Sequence, residues 1–265
     1  MDDEALLVTR ADGILRLTIN RPEQRNALTL DLLGRIGAAL DESAGAQELK
    51  LAVITAAGDR CFAAGGDLKE LDAVRSPAQT LAMSRHGRRA LDAVRAFPLP
   101  VLAALNGHAL GGGAELAMAC DFRVATAATR IGFLQAGLAV TTAWGGGIDL
   151  VHALGSTRAQ ALLLEARQVD APEALALGLL QRVCGPDESL DACAAAFLAP
   201  LLARPRQVLA AFKALAAAPR RALHAALAAQ EEAGFVETWT HPDHWEAVAR
   251  SEAARRKRQD TPFLV

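Results

Sequence analysis

"GHALGGGAELAMACD", residues 107–121, sets three consecutive glycines in front of a helical run that carries a single carboxylate, Glu115. The first backbone N–H groups of a helix have no acceptor within it, and with the helix dipole they make a positive spot that attracts anions. Glycine lets a ligand atom come close to that spot. A second stretch, "CFAAGGDLKEL" at residues 61–71, also places small residues and paired glycines after a buried strand and ahead of a helix. Each stretch alone is compatible with an ordinary tight turn, and neither fits the phosphate-binding patterns G-x-x-x-x-G-K-[ST] or G-x-G-x-x-G. Together they can aim two N–H groups at one oxygen.

Outward from these loops the chain alternates strand, turn and helix, which predicts an α/β fold. "GILRLTIN" (13–20) puts Leu15, Leu17 and Ile19 on one face and Arg16, Thr18 and Asn20 on the other, the period of a half-buried strand. After the turn "RPEQRNA" (21–27), residues 29–44 run at helical spacing. "LAVIT" (51–55) and "PVLAAL" (100–105) are continuously apolar, as buried strands are, and "DFRVAT" and "RIGF" offer further strands. From about residue 145 alanine and leucine dominate with helical period, and prolines 186, 205, 219 and 242 divide this half into segments that each begin near a proline. The polar and basic segment 72–90 reads as a solvated loop or helix face, with a mobile flap over a site as the alternative.

Bulk properties narrow the ligand. A chain of 265 residues can bury roughly three quarters of the surface its unfolded form exposes, so a substantial core is expected. A formal charge of -2 provides no global attraction for nucleic acid or a membrane surface, which leaves small molecules. Cys61, Cys120, Cys184 and Cys193 are widely spaced without a C-x-x-C pair, and the opening "MDDEALL" is acidic where a signal peptide is basic, so a reduced cytoplasmic protein is expected. Glu115, Asp121 and Arg123 interrupt the apolar stretches before any reaches bilayer length.

The motifs "NRPEQRNALT" (20–29), "CFAAGGDLKEL" (61–71) and "LNGHALGGGAELAMACDFRVA" (105–125), in this order and at these separations, closely resemble those of the crotonase superfamily, the enoyl-CoA hydratases and isomerases. The resemblance covers nearly the whole chain and is strongest between residues 14 and 155. It implies a spiral of ββα units over residues 1–200 and a C-terminal helical region over 201–265 that builds a homotrimer or a dimer of trimers. It further implies an acyl-CoA thioester substrate, with no metal and no cofactor beyond the coenzyme A carried by that substrate. By motif position, the N–H groups of Gly66 and Gly112 form an oxyanion hole. Arg25, Ala63, Ala64, Gly65, Asp67, Leu68, Gly111 and Trp144 then line the CoA and acyl channel. The basic run "RRKR" (255–258) is either a contact for the CoA phosphates or a cationic helix end that complements its own dipole.

Glu115 matches one of the two glutamates that handle the proton and water in hydratases. Lying three residues beyond Gly112, it can address the same pocket as that N–H. Apolar neighbours raise a carboxylate's pKa toward neutrality, which suits acid-base work. The second glutamate of a hydratase falls in an F-G-x-P-E segment; here that segment reads "RIGFLQAGLAV" (130–140), and the matching residue is Gln135. An amide orients water or substrate but takes no proton from either. Three chemistries stay open: double-bond isomerisation by one carboxylate, hydration with Gln135 holding the water, and decarboxylation of a malonyl-type thioester. For the last, "TTAWGGG" (141–147) and "FVETWTHPDHWEAV" (235–248) resemble the ethylmalonyl-CoA decarboxylase branch. A non-catalytic acyl-CoA-binding relative is the further alternative. His241 and His244 read as a polar turn rather than metal ligands, Trp239 as core or pocket wall, and Cys61 as a small apolar residue; His108 either touches the acyl pocket or only packs.

Overall fold

The computed structural model describes residues 4–260, with the side chains of 254–260 outside the description. The chain opens with a hairpin of β1 (Leu6–Ala11) and β2 (Ile14–Ile19), in which Leu6 faces Ile19 and Ala11 faces Ile14. Helix α1 (Leu30–Ser43) follows, its first turn capped by the Thr29 hydroxyl, which accepts from Leu32 N. Then come three ββα units in succession. The first is β3 (Leu51–Ala56), β4 (Cys61–Ala63), the short α2 (Leu68–Leu71) and α3 (Pro77–Ala96). The second is β5 (Val101–Leu105), β6 (His108–Leu110) and α4 (Gly112–Ala119). The third is β7 (Phe122–Ala125), β8 (Arg130–Gly132), a 3-10 turn (Gln135–Leu138) and α5 (Gly146–Leu154).

In each unit the first strand joins one sheet and the second joins another. The larger sheet runs β1-β2-β3-β5-β7 and closes on β10 (Arg182–Val183), and the smaller runs β4-β6-β8 and closes on β9 (Gln168–Asp170). The remaining elements are α6 (Ser156–Glu165), β9 (Gln168–Asp170), α7 (Ala171–Ala176), β10 (Arg182–Val183), α8 (Leu190–Leu202), α9 (Arg206–Thr240) and α10 (Pro242–Asp260). Strands β2, β3, β5 and β7 pair in parallel, so each turn of the spiral returns to the same end of the sheet, where its loop leads toward a helix. The main core lies between this sheet and the helices, with Leu15, Leu17, Ile19, Leu32, Leu33, Ile36 and Ile54 fully buried.

Three sequence expectations need correction. Of the forms expected for residues 72–90, the helix is the one found, with 77–90 in α3 and no loop or flap there, but its face is not solvated throughout; a reciprocal capping box of Ser76 and Gln79 starts it. Its polar appearance hides a buried stripe of Thr80, Met83, Ser84, Gly87, Leu91 and Val94, half of it small or hydroxylated residues. Pro219 starts no segment: α9 passes through it, held by burial of Ala217 and Arg220 on either side despite the missing N–H. Pro186 likewise precedes α8 by a turn, whereas Pro205 caps α9 and Pro242 opens α10 as expected. Among the described residues no helix is long and apolar enough to cross a membrane.

Candidate active site

The two glycine loops touch. Gly65 (φ +109°) and Gly111 (φ +54°) adopt backbone conformations that favour glycine. A side-chain carbon placed on Gly65 would lie 3.3 Å from Leu110 O and 3.7 Å from Gly112 N, and one on Gly111 3.9 Å from Gly65 Cα. Leu28 ties down the first loop by donating to Gly65 O (2.9 Å) and accepting from Asp67 N (2.9 Å), a pairing that passes over the N–H of Gly66. Gly112 opens α4, where N–H groups lack intrahelical acceptors. The loops are thus brought side by side, each offering one N–H.

The neighbouring predicted residues gather here to different degrees. Ala63 ends β4, buried, and Ala64 N donates to Arg25 O (3.1 Å), which brings the "RPEQRNA" turn against the loop. The Arg25 side chain is exposed. Asp67 turns its carboxylate to cap α2 and to pair with Arg21 at 3.1 Å, a fold-holding arrangement, and Leu68 is the first residue of α2. The side chains of the basic run 255–258 lie outside the described residues.

Glu115 sits one turn into α4 and is buried. Its Oε2 accepts from Trp144 N (2.8 Å) and Gly146 N (3.0 Å), and its Oε1 accepts from Gln135 Nε2 (3.1 Å), with Ala143 N at 3.5 Å. Burial nevertheless pushes the carboxyl up to about 7, helped by repulsion from Glu231 and opposed by the three backbone N–H groups. Glu231 reaches in from α9, paired with Arg88 of α3 and accepting from Thr142 Oγ1 at 2.6 Å. Because a carboxylate only accepts, the Gln135 amide faces it with its nitrogen, leaving Gln135 Oε1 buried with no partner among the described residues.

The segment 142–147 that holds Glu115 is itself held. Ser84 Oγ donates to Ala143 O (3.0 Å) and Arg95 Nη2 to Trp144 O (2.7 Å). Arg95 also binds Asp149, which further accepts from Arg220 Nε (2.8 Å) and faces His224 Nε2 at 2.7 Å. The Arg95 and Arg220 guanidinium groups, with the His224 hydrogen bond, keep the buried Asp149 well below the usual carboxylate range despite its desolvation. The Trp144 indole is only 5% exposed and rests on three glycines. A side-chain carbon on Gly112 would overlap the ring at Cζ3 and stand 2.8 Å from Cη2; one on Gly66 would stand 3.6 Å from Cη2; one on Gly87 would overlap Nε1. One aromatic ring therefore spans both glycine loops and the middle of α3.

Sequence reasoning did not find the backbone donors at Ala143 and Gly146, nor Gly87, Arg88, Thr142 and Glu231. The glycine run at 145–147 was the one available signal; Glu231 lies on a distant helix with no motif around it. Other singled-out residues are structural. His244 is buried, not part of an exposed polar turn: its Nδ1 lies 2.7 Å from Leu138 O and its ring packs on Trp239, whose Nε1 donates to Val74 O at 2.9 Å. Among the described residues no group of three or more potential ligands could hold a metal. His108 lies in β6, opposite Cys61 of β4, and burial raises the Cys61 thiol.

The two-sheet spiral of ββα units brings the two glycine loops and the buried carboxylate of Glu115 together at one place. A family model described as enoyl-CoA hydratase/isomerase matches residues 9–257, and the chain belongs to that family, whose members act on acyl-CoA substrates as lyases or isomerases. It is 35% identical to a crotonyl-CoA hydratase of Syntrophomonas wolfei over 71% of this chain and 72% of that protein. A probable enoyl-CoA hydratase of Mycolicibacterium paratuberculosis is 36% identical over 88% and 89% respectively. The crystal structure of an enoyl-CoA hydratase from Mycobacterium avium subsp. paratuberculosis superposes with a TM-score of 0.82 at 30% identity, covering 92% of this chain and 98% of that one.

Proposed function

We propose that the protein adds water to a 2-enoyl-CoA thioester, with Glu115 as its single acid/base residue. The observation that carries this reading is the bond between Gln135 Nε2 and Glu115 Oε1 at 3.1 Å, which leaves Gln135 Oε1 as a buried free acceptor next to a carboxyl titrating at about 7. A water between the two groups would donate one hydrogen to each. In the forward reaction the water oxygen bonds to the β-carbon as its proton passes to ionised Glu115. The double-bond electrons move to the α-carbon and thioester oxygen, giving an enolate. The Gly66 and Gly112 N–H groups stabilise that oxygen; one such donor contributes about 2.7–4 kcal/mol to barrier lowering. Glu115 then returns the proton to the α-carbon. The step is redox-neutral and needs no cofactor beyond the coenzyme A of the substrate.

Arg25, Ala63, Ala64, Gly65, Asp67, Leu68 and Gly111 would line the entry for the CoA arm. Exposed Phe212 (68%) and Leu215 (70%) on α9 support burial of that face in a homotrimer or its dimer. Four free and buried thiols are compatible with a reducing cytoplasm. Incubation with crotonyl-CoA followed by mass spectrometry tests the reaction: the expected result is a product heavier by one water. An unchanged crotonyl-CoA, together with chromatographic conversion of a 3-enoyl-CoA to its 2-isomer or carbon dioxide loss from an alkylmalonyl-CoA, would overturn hydration.

A further inference from the structure

We propose that the Trp144 indole is the end wall of the acyl pocket, so that the enzyme selects short-chain enoyl thioesters. This rests on the oxyanion role of Gly66 and Gly112 proposed above. With the thioester oxygen at those two N–H groups, the double bond lies over Glu115. In this proposal the carbons beyond it run toward α3, the side the indole reaches at Gly87.

The indole occupies that path. Its six-membered ring lies against Gly112 and Gly66, while its Nε1 edge lies against Gly87 of α3, so the gap between the glycine loops and α3 is filled. The ring has little freedom to leave. The Trp144 main chain is fixed on one side by its N–H bond to Glu115 and on the other by the Arg95 bond to its carbonyl. Gly87 supports the same assignment. Glycine is a poor residue inside a helix of 20 residues, yet any larger residue here would collide with the indole. A long acyl chain must displace a ring that three elements are shaped to receive.

The test is binding of saturated esters, which does not depend on turnover. Affinities for butyryl-CoA and decanoyl-CoA are measured by calorimetry for the wild type, Trp144→Ala and the milder Trp144→Leu, using variants that keep the wild-type circular dichroism. Each methylene moved out of water is worth about fourfold in affinity, so an open pocket favours decanoyl-CoA strongly. The wild type is expected to bind butyryl-CoA at least as tightly as decanoyl-CoA. Trp144→Ala should shift the ratio toward decanoyl-CoA by about tenfold or more, and Trp144→Leu by less. Tighter decanoyl-CoA binding by the wild type, or an unchanged ratio in both folded variants, overturns the wall. If length discrimination holds while crotonyl-CoA gains no water, the wall stands and the hydration reading falls; water addition without length discrimination has the opposite meaning.

Discussion

Glu115 should make the protein less stable as pH rises from about 4.5 to about 7, and Glu115→Gln should remove that dependence. The carboxyl is raised from 4.5 to about 7, chiefly by burial. Below pH 4.5 both folded and unfolded chains carry the proton, and its contribution to stability is fully present. Between pH 4.5 and about 7 the unfolded chain releases the proton while the folded one retains it, so stability is lost; above about 7 both are ionised and the loss is complete. At 1.36 kcal/mol per pH unit, that interval corresponds to about 3 kcal/mol. Other carboxylates, such as Asp149 and Glu232, are shifted downward, but they are common to both proteins and cancel in the difference. Urea unfolding of wild type and Glu115→Gln between pH 4.5 and 8 reads the effect. The wild type should lose about 3 kcal/mol relative to the variant across that range. Parallel curves would refute the argument and mean that the backbone donors from residues 143–146 outweigh desolvation. The same ionisation should govern the rate: because water must surrender a proton to Glu115, kcat/KM for hydration should rise with pH around 7.

Two further outcomes follow from the site and the surface. Gln135→Glu restores a second carboxylate beside Glu115 and should raise crotonyl-CoA hydration while pushing the Glu115 pKa higher still; a steady-state assay showing no gain would mean that the missing carboxylate does not limit the rate. Replacing exposed Phe212 and Leu215 together by aspartate should reduce the solution mass measured by light scattering from three or six chains to one, and an unchanged mass would place the contact elsewhere.

The strands and glycine loops were legible because their signals are local. Leu15, Leu17 and Ile19 alternate along one strand, and the glycines at 65–66 and 111–113 interrupt apolar runs at two strand ends. Helix α3 was obscured because its buried stripe is built from Thr80, Ser84 and Gly87, residues small enough to accept a neighbouring ring and hydrogen-bond a neighbouring loop, which register as polar in a one-dimensional pattern. Strand β6 was hidden for a related reason: only His108–Leu110 belong to it, too few residues for a period to show. In the site, Glu115 and Gln135 stood out by motif. What holds Glu115 did not, since main-chain N–H groups leave no trace in residue identity. Glu231, Arg95 and Arg220 were unreadable because each pairs with a residue more than 50 positions away.

Segment 142–147 carries two properties at once. Its main chain moderates the proton affinity that burial gives Glu115, and its one large side chain limits the room left for the acyl group. A replacement at Trp144 keeps these main-chain donors but removes the ring that braces the segment against Gly66, Gly87 and Gly112. For an evolving lineage this links substrate range to proton affinity: a smaller residue at 144 that loosens the segment weakens the bonds that oppose burial, so a move toward longer chains is expected to carry the Glu115 pKa, and with it the pH optimum, upward.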